Sequence, residues 1–212
     1  MDWELIIKHQ LCGSVPVFAA LAVFFGITNK RRVLPPGHFL ALLVLCFYLV
    51  GVLNLAGIWF LGRFEPRIVF VPFADMVRSP LYTALNVLLF VPLGLFLPIL
   101  YKDFDRVGKV AAVGFLLSLS IELLQMFGCG TSDVNDLITD TLGACLGCAL
   151  SKLLCGSLPQ SWVEVIRAAG ARGCREVLLF WIAALFIMVT IQPRLYHLLF
   201  TAGAAGEISI WK

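Results

Sequence analysis

Four carboxylates crowd one stretch of the chain, "SIELLQMFGCGTSDVNDLITDTLG", residues 120–143: Glu122, Asp133, Asp136 and Asp140, out of thirteen acids in 212 residues. No Lys or Arg falls between Lys109 and Lys152. Two kinds of chemistry suit such a group. Glu122, shielded by apolar neighbours, could trade protons as a general acid or base with Asp136 nearby. Asp133, Asp136 and Asp140 could offer oxygen ligands to a hard divalent cation such as magnesium. There is also a plainer use, because Ser132 or Asp133 is a good N-cap for a following helix.

The elements that must position these groups are set by composition. The chain is 60% hydrophobic and only 14% charged, with mean hydropathy +0.95, whereas soluble domains carry about 25% charged residues. Apolar runs of about 20 residues cross the roughly 30 Å of bilayer hydrocarbon as helices, since the backbone finds no water there. The expected fold is therefore all-α, a single polytopic bundle over residues 1–212 with spans near 11–28, 38–61, 83–101, 107–127, 135–155 and 177–200. Five spans is the alternative count. Pro92 and Pro98 predict a kink in the third span. The net charge of +3 is spread over short loops, which excludes a basic groove for nucleic acid.

Orientation follows from the same charges. Asp2 and Glu4 outweigh Lys8 before the first span and "KRR" (30–32) follows it, the pattern of a retained anchor rather than a cleaved leader. Loops after spans one, three and five carry more Lys and Arg than the opposite face, so both termini are expected outside. Ser118, Glu122 and Gln125 then share one face of span four (i, i+4, i+7). Asp133, Asp136 and Asp140 share another, continued by Gly143 and Gly147 in "GACLG", a small-xxx-small stripe that admits a close neighbour. Asn86 opens span three on the same side. A charged acid at the bilayer centre costs about 2.5–3.5 kcal/mol on insertion scales, so it needs a wet cavity or a counter-charge. Arg78, with Arg67 or Arg63, is expected to fold over the cluster.

Other chemistries lack support. His9, His38 and His197 are scattered and form no H-E-x-x-H; neither a P-loop nor a dinucleotide fingerprint occurs; Ser118 and Ser120 have no His at a recognisable spacing. Cys145 and Cys148 lie one helical turn apart as packing residues, and spacing does not decide whether Cys12 and Cys129 join. Residues 156–176 read as a cytoplasmic amphipathic segment whose Arg167, Arg172 and Arg175 meet anionic lipid.

The runs "NVLLFVPLGLFLPIL", "SLSIELLQMF" and "DVNDLITDTLGACLG", preceded by "RIVFVPF", resemble the VanZ-like family over about residues 67–150. The resemblance covers Pro72, Asn86, Pro92, Gly94, Ser118, Glu122, Gln125, Asp133, Asp136, Gly143 and Gly147. It departs at Gly130, where many members have Arg, and at Asp140, where the family usually has Asn. Both changes make the cluster more acidic, which the arginines, a proton or a cation would have to offset. The family is named for a protein giving low-level teicoplanin resistance, and its members sit mostly in bacterial plasma membranes. The resemblance thus implies an outward polar pocket that binds or excludes an amphiphile, a lipid-tailed glycopeptide antibiotic or an envelope lipid. Its ligand-binding residues would be Arg78, Asn86, Ser118, Glu122, Gln125, Asp133, Asp136 and Asp140. The second reading is a membrane-embedded enzyme acting on a lipid-linked envelope substrate through Glu122 and Asp136, with magnesium as a possible cofactor.

Overall fold

The computed structural model describes residues 3–29, 35–59, 61–73, 76, 78–127, 130–157, 159–167 and 173–201. Among these, six helices are long and apolar enough to cross a membrane. The first, α1 (Trp3–Asn29), starts eight residues earlier than hydropathy suggests. Its two charges do not prevent this, because Lys8 and Glu4 pair one turn apart at 2.5 Å. α2 (Pro36–Leu55) stops short of the expected residue 61. Gly57, at φ 75°, and Ile58 return their amides to Asn54 and Leu53, a Schellman stop that only a left-handed residue such as glycine makes without strain.

α3 (Pro80–Leu100) begins on a proline and runs through Pro92 and Pro98. Pro92 leaves the Leu88 carbonyl without its helical donor, and beside it the Tyr48 hydroxyl donates to the carbonyl of Leu89. α4 (Val107–Gln125) and α5 (Val134–Ser157) form the hairpin that holds the acids. Among the described residues, a parallel pair of two-residue strands forms the sheet, β1 (Ile68–Val69) and β2 (Ser132–Asp133). The segment before β1 is stitched to the same hairpin: Gly62 N donates to Phe127 O at 2.7 Å and Glu65 N to Met126 O at 2.9 Å.

The centre of the bundle is α5, packed between α3 and α4. A Cβ at Gly143 or Gly147 would lie 2.1 or 2.0 Å from the carbonyl oxygens of Val87 and Val91, and one at Gly94 would lie 1.9 Å from Ala144 O. The glycine stripe thus admits a backbone, as its spacing predicts, and the partner is α3, running parallel to α5. On the other flank Gly114 of α4 approaches the Ala144 side chain.

At the opposite end, the amphipathic stretch contributes α6 (Gln160–Ile166), which is tied down rather than free. His38 Nδ1 donates to Ile166 O at 2.9 Å, and Arg167 caps α3 through Pro98 O at 2.8 Å. The last span begins as α7 (Gly173–Phe186) and passes through a π-helical turn at Ile187–Ile191 before α8 (Gln192–Tyr196). Pro193 accounts for that turn, since a wider coil makes room for its ring and its missing N–H. Gln192, fully buried, donates to His9 O (3.1 Å) and Asn54 Oδ1 (3.0 Å), so one amide fastens the last span to α1 and α2. Cys12, Cys46, Cys145, Cys148, Cys155 and Cys174 are free thiols, so Cys12 is unpaired, and Cys129 lies outside the described residues.

Candidate functional site

The acids gather where the α4–α5 hairpin meets the start of α3. Ser132 and Asp133 fold back over the end of α4. The Ser132 hydroxyl donates to the Glu122 carbonyl at 2.6 Å, and the Asp133 amide to the Glu122 carboxylate at 2.7 Å. The position of Ser132 is set in turn by β1, whose approach lets Ser132 N donate to Arg67 O at 2.8 Å. Asp133 Oδ1 accepts the Asn135 amide at 2.8 Å, which is N-cap geometry for α5. One turn on, Asp136 accepts from Asn86 Nδ2 of α3 at 2.5 Å, and a further turn on, Asp140 accepts from Ser118 Oγ of α4 at 2.7 Å. Glu122 and Asp140 are 5% and 6% exposed, so both have been removed from bulk solvent.

Neutral donors therefore hold the carboxylates. Of the arginines expected nearby, Arg67 lies 3.8 Å from Glu65 with both side chains largely exposed, and Arg63 and Arg78 are exposed side chains. A salt-bridging Arg must reach over the acids, whereas Asn86 and Ser118 already sit one helix away and need no long side chain. Among the described residues no group of three His, Cys, Asp or Glu comes together as a metal-holding set. Asp133 Oδ1 accepts from both the backbone and the side-chain amide of Asn135.

Two cavities meet at this cluster. A polar chamber of about 390 Å³ is lined by Ser79, Tyr82, Thr83, Asn86, Thr131, Asp133, Asn135, Asp136 and Thr139, with Met76. A larger groove of about 740 Å³ runs between α2 and α3; Glu122, Gln125, Asp136 and Asp140 line it together with Tyr48, Val52, Leu81, Leu85, Leu88 and Pro92. Tyr82, Asn86 and Asp136 belong to both. The groove exists because α3 commits its glycine-contacting face to α5 and leaves Leu81, Leu85 and Leu88, one stripe at i, i+4 and i+7, turned toward α2. Gln125 donates to Ala56 O at 3.2 Å, while its Oε1 is buried with no hydrogen-bond partner.

Of the residues expected to form the site, Asn86, Ser118, Glu122, Gln125, Asp133, Asp136 and Asp140 are brought together, and Arg78 does not line either cavity. Two further residues shape the site, Asn135 on the chamber wall and Tyr48 on the groove. Asn135, 4% exposed, accepts from Phe73 N at 2.7 Å and donates to Val71 O at 3.3 Å, holding the 71–73 segment against α5. Its only signal was a second amide inside an acidic run. Tyr48 stood alone in an apolar span, where a buried hydroxyl needs a partner.

The VanZ/LLP1 family description matches residues 39–155, more than half of the chain. The chain belongs to the VanZ/LLP1 family. With its six apolar helices it is a multi-pass membrane protein. Protein VanZ of Enterococcus faecium is 41% identical over 66 residues, which span 31% of this chain and 40% of that relative. The match thus covers less than half the length of the relative. No solved structure matches the chain. The VanZ/LLP1 region takes in α2 through most of α5, and so contains both cavity walls and every acid of the cluster, while α1 and the last span lie outside it.

Proposed function

We propose that this VanZ-family chain binds an amphiphile, with the polar chamber taking the head and the α2–α3 groove taking the tail. The single observation that carries the reading is the pairing of a polar and an apolar cavity through shared walls at Tyr82, Asn86 and Asp136. A ligand with one wet and one oily end fits such a pair, since apolar burial drives the tail in and a few placed polar groups fix the head. The hairpin end faces outward from the bacterial plasma membrane, the orientation favoured by the Lys and Arg distribution. The family resemblance points to lipid-tailed glycopeptides such as teicoplanin, or to an envelope lipid that such a drug would have to approach.

Filling the groove tests this. Leu85→Trp and Leu88→Trp add bulk to side chains that are 51% and 62% exposed, so the bundle itself should be spared. In a glycopeptide-sensitive host, both variants should lose teicoplanin protection down to the empty-vector level at equal membrane abundance, with vancomycin, which lacks the acyl tail, unaffected. Undiminished teicoplanin protection, or equal loss against both drugs, would overturn tail recognition.

A further inference from the structure

Resting on the amphiphile reading, we infer that the head group this site accepts is a cation, an amine-bearing amphiphile rather than an anionic phosphate lipid. The groove and the chamber have a one-sided chemistry. Glu122, Asp136 and Asp140 line the groove, Asp133 and Asp136 line the chamber, and among the described residues no Lys, Arg or His lines either. The deeper acids are more than nine-tenths buried, yet each is met by a single protein donor, the Asp133 amide for Glu122 and the Ser118 hydroxyl for Asp140. A carboxylate has about four lone-pair sites, so acceptor capacity remains on both. A separate observation points the same way: Gln125 Oε1, on the same groove, is buried without a donor.

A pocket that carries carboxylates and, among the described residues, no basic side chain selects its ligand by complementarity of charge. An ammonium brings three donors and a positive charge to carboxylates that have acceptor capacity left and no cationic neighbour on the cavity walls. A phosphate brings only further acceptors and like charge, which a low-dielectric site penalises. Arg67 does not change the balance, because it lies beside Glu65 at the exposed edge. The same ammonium chemistry could come from an amine on the antibiotic or from an aminoacylated envelope lipid.

The test uses the full chain in phosphatidylcholine nanodiscs, with empty nanodiscs subtracted, and three probes of equal tail: dodecylamine, dodecanol and dodecyl phosphate. Dodecylammonium should bind about tenfold or more tighter than dodecyl phosphate, with dodecanol between them. Asp136→Asn with Asp140→Asn should erase that order. Thr131→Lys, an exposed change on the chamber wall with little risk to folding, should weaken the amine and strengthen the phosphate. Leu85→Trp should abolish binding of all three. Displacement of dodecylammonium by teicoplanin or by lysyl-phosphatidylglycerol supports the inference and names its source; displacement by neither counts against it. If dodecyl phosphate binds as well as the amine but is still lost in Leu85→Trp, the head-group inference is wrong and the groove stands. Binding indifferent to Leu85→Trp overturns the groove itself.

Discussion

At the scale of single residues, the cluster's order depends on an amide that is not an acid. Asn135 holds Phe73 N, Val71 O and Asp133 Oδ1 at once, and Phe73 is a non-glycine residue at φ 68°. Such a backbone costs about 1–3 kcal/mol and persists only where its surroundings enforce it. Asn135→Ala should therefore lower stability by about 1–3 kcal/mol, the cost of orphaning buried partners, and raise amide exchange at Phe73. Phe73 is 59% exposed, so Phe73→Gly gives up little packing while relieving the strain. The double variant should be clearly less destabilised than the sum of the singles, in thermal unfolding followed by circular dichroism; simple additivity would refute the coupling. The acids themselves were legible in the sequence, since carboxylates in a charge-poor chain stand out. Asn135 was not, because Phe73 and Val71, which it holds, lie more than 60 residues upstream and no local spacing records them.

At the scale of elements, the pattern that could be read was the one with a short period. Gly143 and Gly147 announce a close helix contact from their spacing alone, and Asp133 announces a cap. What could not be read was the identity of the partner, because any of five other spans could have supplied the backbone that Val87 and Val91 of α3 present. The end of α2 at Leu55 was equally hidden, since hydropathy continues past Gly57 while the backbone turns. Closeness at the α3–α5 seam makes a sharp prediction. Gly147→Ala would place a methyl 2.0 Å from Val91 O, so the helices must separate, costing about 1–3 kcal/mol as overpacking does. Gly26→Ala in α1 meets nothing within 4 Å and should gain up to about 1 kcal/mol of helix propensity. Melting temperatures in detergent should move in opposite directions for these two identical substitutions; a shared direction would mean that the glycines of α5 are not contact residues.

At the scale of the whole molecule, the bundle has two chemically different ends. The hairpin end gathers the acids and the chamber, while the other end gathers Lys102, Arg106, Lys109 and Arg167 around the buried Tyr101, Phe104 and His38. That asymmetry is what the charge distribution made legible, although hydropathy alone could not say which helices lie beside each other at either end. The orientation proposed above puts the Tyr101 end in the cytoplasm, because Lys and Arg near span ends resist translocation. Two thiols can test the orientation. Cys174 is a free, exposed thiol beside Gly173, which packs on Tyr101, and Thr131 is exposed on the chamber wall. In a Cys129→Ser background, which removes the hairpin's own thiol, a membrane-impermeant maleimide should leave Cys174 unlabelled in intact cells and label it after permeabilisation. With Thr131→Cys added, labelling should appear in intact cells. The reverse pattern would turn the molecule over, place the chamber on the cytoplasmic side, and remove any direct route from it to an antibiotic arriving from outside.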